Sequence, residues 1–127
     1  MDKAILVEKD ISEGKKIVQN LDNSGLFFPL AMWFLKPDNN EWRLIFGASD
    51  IEERGTREYY KKIQQSLNKM HPATDITVND ISVISTNNSL AKLIKSAIKT
   101  GKEISGIRFS GNVVNGVLIN DAFIYRA

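Results

Sequence analysis

The stretch Leu26-Phe27-Phe28-Pro29-Leu30-Ala31-Met32-Trp33-Phe34-Leu35, the turn Lys36-Pro37-Asp38-Asn39-Asn40-Glu41 and the stretch Trp42-Arg43-Leu44-Ile45-Phe46-Gly47-Ala48 decide the fold. The first run is apolar without alternation, so a strand there must be covered on both faces. Pro29 has no N–H to give to a ladder, so regular pairing is expected after it. The middle six residues carry the Pro, Asp and Asn that punctuate a reversal. In the last run Trp42, Leu44 and Phe46 share one face by the period of two. The three pieces read as a β-hairpin buried at the centre of a sheet.

Upstream, Ile11, Ile17, Val18 and Leu21 make the apolar side of a helix over about 11–21, with Ser12 or Asp10 as its N-cap. Asn23-Ser24-Gly25 stops it, Gly25 suiting a left-handed residue past the helix end. Downstream, Ser49 to Arg54 reads as a polar, acidic connection. Tyr59, Tyr60, Ile63, Leu67 and Met70 then repeat at three and four over a helix from about 56 to 69. Pro72 ends it, because the residue before a proline disfavours helical backbone. Ile76-Thr77-Val78 and Ile81-Ser82-Val83-Ile84 predict one strand kinked or bulged at Asn79-Asp80. Leu90, Leu93, Ile94, Ala97 and Ile98 form the stripe of a third helix over 89–100. Asn115-Gly116 between Val113-Val114 and Val117-Leu118 is a strong short hairpin signal. Asn120-Asp121 is expected to bend or bulge the last strand.

The order α-β-β-α-β-α-β-β predicts an α+β fold. It has a single mainly antiparallel or mixed sheet of about five strands with three helices. The 127 residues fit one domain, 1–127. Apolar residues at 43% and charged residues at 25% are globular proportions, which excludes disorder as the main state.

Composition also removes whole classes of chemistry. The chain has no cysteine, so disulfide scaffolds, thiolate metal sites and cysteine nucleophiles are excluded. His71 is the single histidine. A site needing two imidazoles cannot be built in one chain, and a residue at this helix end suits the helix dipole. The longest apolar run is ten residues with a proline inside, against about 20 for a membrane span. No signal-like segment begins the sequence, and a cytoplasmic protein is expected.

The charge is uneven. Residues 1–63 carry ten basic and eleven acidic groups, whereas residues 64–127 carry seven and four. Lys92, Lys95, Lys99 and Lys102 lie in a segment without an acid. Lys92, Lys95 and Lys99 are spaced as one helical stripe. Such a stripe is either a solvated helix face or a surface for phosphates, an acidic partner or an anionic membrane surface. Arg54 and Arg57 flank Gly55-Thr56 at a helix start, where free N–H groups and guanidiniums suit an anion, or where they pair with Glu52, Glu53 or Glu58. Asp50, Glu52 and Glu53 offer hard oxygen ligands for Mg²⁺ or Mn²⁺, or serve as acids favoured ahead of a helix.

Trp42-Arg43-Leu44, then Gly55-Thr56-Arg57-Glu58 with Tyr60, then Asp121-Ala122-Phe123-Ile124-Tyr125-Arg126 resemble segments of a family of small bacterial hypothetical proteins. The resemblance spans most of the chain. It implies a stand-alone bacterial domain and carries over no catalytic residue.

The leading expectation is therefore a non-enzymatic binding or protein-interaction domain, with no cofactor. Its partner is another protein or a second copy held by an exposed flank of the first hairpin. A nucleic-acid-associated module on the third-helix lysines is the second expectation. A Mg- or Mn-dependent hydrolase or nuclease on Asp50, Glu52 and Glu53 is the third.

Overall fold

The computed structural model describes residues 4–127. One five-stranded sheet is built from β1 (Leu30–Lys36), β2 (Glu41–Ala48), β3 (Ile81–Ser85), β4 (Ile107–Val114) and β5 (Val117–Arg126). Its order is β3-β2-β1-β5-β4. β1 is antiparallel to both neighbours, β4 is antiparallel to β5, and β3 runs parallel to β2. The helices are α1 (Glu8–Asn23), the single-turn α2 (Ile51–Arg54), α3 (Arg57–Lys69) and α4 (Ser89–Ala97). The fold is the α+β, mixed five-strand sheet that the patterning predicts.

The non-alternating apolar run lies at the centre because both its faces are covered. Ala31 and Trp33 join Ile17, Leu21 and Ile63 on the α1 and α3 side. Leu30, Met32 and Phe34 join Ala91 and Ile94 on the α4 side. β1 starts at Leu30, just past Pro29.

α1 sits close on the sheet at a glycine. A Cβ on Gly14 would come within 2.3 Å of Tyr125 Oη and 2.8 Å of Trp33 Nε1. A mid-helix glycine costs about 1 kcal/mol of helix propensity, and here it admits a buried polar chain. Trp33 Nε1–H donates to Tyr125 Oη at 3.1 Å, and Tyr125 O–H donates to the Ile11 carbonyl at 2.6 Å. Burial holds the Tyr125 phenol protonated well above the ordinary tyrosine range.

β5 carries a bulge at this point. Met32 pairs with Ile124 but Ala31 pairs with Arg126, leaving Tyr125 as the extra residue. Strict alternation would send Arg126 to the α4 side with Ile124. The extra residue resets the phase, and Arg126 instead reaches Asp22 of α1, Nη2 to Oδ2 2.7 Å. The same guanidinium donates to the carbonyls of Lys102 and Phe28 and stacks 4.3 Å from the Phe27 ring. Its charge is buried with every contact made to an acceptor or a π face.

Four local expectations change. α1 begins at Glu8, where Asp10 accepts the Val7 N–H at 3.0 Å, so Ser12 lies inside the helix. The acidic connection after β2 closes one helical turn, α2. Ile76-Thr77-Val78 is not strand. A 3-10 turn at Val78–Asp80 intervenes, held by Asp80 accepting the Thr77 N–H and Thr77 Oγ1 accepting the Asn79 N–H. α4 stops at Ala97 because Ile98 is extended, so Lys99 lies beyond the helix.

Candidate functional site

α4 packs on one face of the sheet, α1 and α3 on the other. The basic residues noted in the sequence therefore divide. Lys92 and Lys95 ride on α4, and Lys99 and Lys102 follow it. Lys95 Nζ–H donates to the Pro29 carbonyl at 3.4 Å. Lys95 and Lys102 share a shallow hollow of about 280 Å³ with Arg126 and Phe27, while Lys92 and Lys99 are exposed outside it. Arg54 ends α2 and pairs with Asp50 at 3.4 Å, and Arg57 opens α3. These two arginines and the four lysines are thus not gathered on one helix face.

Asp50 and Glu52, between β2 and α3, are bonded within the protein. Tyr59 O–H donates to Asp50 Oδ1 at 2.5 Å, which holds the phenol above its usual range. Hydrogen bonds from Ser85 and Asn87 hold the Glu52 carboxyl below the usual range. Glu53 is exposed on α2. Among the described residues no group of three or more His, Asp or Glu side chains is placed to hold a metal ion.

The more open surface is at the β4 edge. β5 pairs with β1 only over Ala122–Arg126, so Val117–Asp121 and the facing part of β4 project as a two-stranded ribbon. The ribbon turns at Asn115 and Gly116, with φ 49° and 80°. Two positive φ values in succession are the type I′ signature and match the twist of a hairpin. A two-residue turn makes Val114 and Val117 a hydrogen-bonded pair. Alternation then aims the backbone N–H and C=O of Val113 away from β5, at the free edge. Val113, Val117 and Leu118 stand 67%, 50% and 56% exposed at the tip. The one charge on β4, Arg108, is held in a fork by Asp121 on β5 at 2.6 and 2.5 Å.

The sequence placed the exposed flank on the first hairpin. That hairpin is interior, with Leu30 to Phe34 all buried, and the flank belongs to the second. The signal was present as valine-rich ends around Asn115-Gly116. What could not be read was that, among the described residues, no strand lies beyond β4.

No family model, curated protein or solved structure matches this chain. Among the described residues no helix is long and apolar enough to cross a membrane.

Proposed function

We propose that the chain is a non-enzymatic interaction domain that works by strand addition at β4, with a second copy of itself as the partner. The observation that carries this reading is the bare β4 edge beneath an exposed apolar tip. Sheet edges are ordinarily blunted by lysine, proline, short length or a covering segment. β4 has eight residues with neither lysine nor proline among them.

A second copy suits the edge because the edge complements itself. Pairing two β4 ends antiparallel about Val113 sets the exposed Val113 of one copy beside that of the other, on the two-fold. β-Branched residues pack well against one another on a pleated, half-buried surface. Arg108 brings no repulsion because Asp121 neutralises it within each copy.

Sedimentation velocity tests this directly. The wild-type chain is expected to sediment as a dimer, and Val113→Lys as a monomer with an unchanged circular-dichroism spectrum. A monomeric wild type at its highest soluble concentration, or a dimer that Val113→Lys leaves intact, overturns the reading.

A further inference from the structure

α1 and α3 carry matching polar stripes that meet. On α1, Lys16, Gln19, Asn20 and Asn23 stand at i, i+3, i+4 and i+7; on α3, Lys62, Gln65, Ser66 and Lys69 stand at the same spacing. Each set is one helix face about 10 Å long. The helices run antiparallel: Lys16 lines a hollow with Lys69 and His71, and Lys62 lines its neighbour with Ser24 and Gly25. The two hollows, of about 370 and 430 Å³, share Asn20 and Lys69 and so form one cleft.

The cleft walls are fixed. Asn20 Nδ2–H donates to Ser66 Oγ at 2.5 Å across the floor. The segment after α3 is tied to α1 by Glu13 accepting the Asp75 N–H at 3.2 Å and by the Lys9–Asp75 pair at 2.5 Å. A preset site loses less freedom when a ligand orders it.

The lining is cationic and rich in amides. Among the described residues no carboxylate lines either hollow, and apart from Leu26 and Met70 every lining residue is polar or glycine. The ion pairs among the described residues include none of Lys16, Lys62 and Lys69. Nor are these lysines needed to finish α1. The carbonyls of Asn20, Leu21 and Asp22 already accept from the amides of Ser24, Leu26 and Gly25.

We infer that this cleft binds a small phosphorylated sugar, alone or as the ribose phosphate of a nucleotide. The lysines supply charge for the phosphate. Gln19, Asn23 and Gln65 each offer both donors and an acceptor, which suits neighbouring hydroxyl groups. Among the described residues no phenyl, phenol or indole ring lines either hollow to stack a base, and the one ring present is the His71 imidazole. The cleft is open to solvent, and its volume is that of a small-molecule site.

Titration of the full chain with inorganic phosphate, ribose 5-phosphate and adenosine monophosphate, followed by backbone amide NMR, tests the assignment. Ribose 5-phosphate is expected to shift α1 and α3 amides and to bind more tightly than inorganic phosphate. Adenosine monophosphate is expected to bind no more tightly than ribose 5-phosphate. Lys62→Gln and Lys69→Gln are each expected to weaken ribose 5-phosphate about tenfold, the size of one lost charged hydrogen bond. Lys92→Gln, outside the cleft, is expected to change nothing. Equal affinity for phosphate and ribose 5-phosphate overturns the sugar assignment. Absence of shifts in α1 and α3, or affinity untouched by both cleft variants, overturns the site. An oligonucleotide held more tightly than ribose 5-phosphate by the same lysines assigns the cleft to nucleic acid instead.

Discussion

The two edges of the sheet are finished differently. β3 has five residues, and side chains occupy its backbone: the Val83 N–H donates to Tyr60 Oη at 2.9 Å, and the Ile81 carbonyl accepts from Arg43 Nη2 at 2.9 Å. β4 has eight residues, and its ribbon ends in three exposed apolar side chains. One edge is short and closed by its own chain. The other is long, uncharged outside one internal pair, and open. A strand edge is a row of unpaired donors and acceptors, so the contrast shows which side of the sheet is free to take another strand.

That contrast can be broken at three points. The largest effect is expected at Arg126, which anchors β5 and, through it, β4. Arg126→Met removes the partner of Asp22 and the donors to the Lys102 and Phe28 carbonyls. Breaking a buried pair costs about 3–5 kcal/mol. The low end applies because the Asp22 side chain keeps 27% of its surface exposed. Urea unfolding should show the midpoint fall accordingly, and a loss under 1 kcal/mol would show β5 held mainly by its apolar contacts.

Gly116→Ala comes next. An L side chain at φ 80° is strained by about 1–2 kcal/mol. The strain falls on the ribbon, so hydrogen exchange should quicken in Val113–Leu118 more than in β1. Uniform acceleration across the sheet would mean that the ribbon does not open by itself.

Tyr60→Phe is the smallest and most pointed change. It removes the acceptor of the Val83 N–H while keeping the ring, at about 1 kcal/mol. It also uncovers the β3 edge, so weak association beyond a dimer should appear in sedimentation at high concentration. If Tyr60→Phe stays at the wild-type size, the short length of β3 alone suffices to close that edge.

Much of the architecture was legible because it rests on short-range rules. The period of two in Trp42, Leu44 and Phe46, the period of 3.6 in Leu90, Leu93 and Ile94, and the Asn115-Gly116 turn are written in adjacent residues. The boundaries that moved were settled by competing local bonds. Thr77 and Asp80 close a 3-10 turn where the β-branched residues suggested strand. The helix-like spacing of Lys99 lost to extended backbone at Ile98.

The candidate surfaces lie at the other extreme. The stripes Lys16–Asn23 and Lys62–Lys69 are each readable as a solvated helix face. They become a cleft only because α1 and α3 pack antiparallel, bringing Asn20 to Ser66 across 46 positions of sequence. The strand order β3-β2-β1-β5-β4, and with it the choice of which edge is left open, is likewise a long-range outcome. The sequence by itself determined the elements, their apolar faces and the absence of thiol chemistry, since each depends on neighbours a few residues apart. Tertiary structure alone decided which polar faces meet and which edge stays bare, because those follow from pairing segments far apart in the chain.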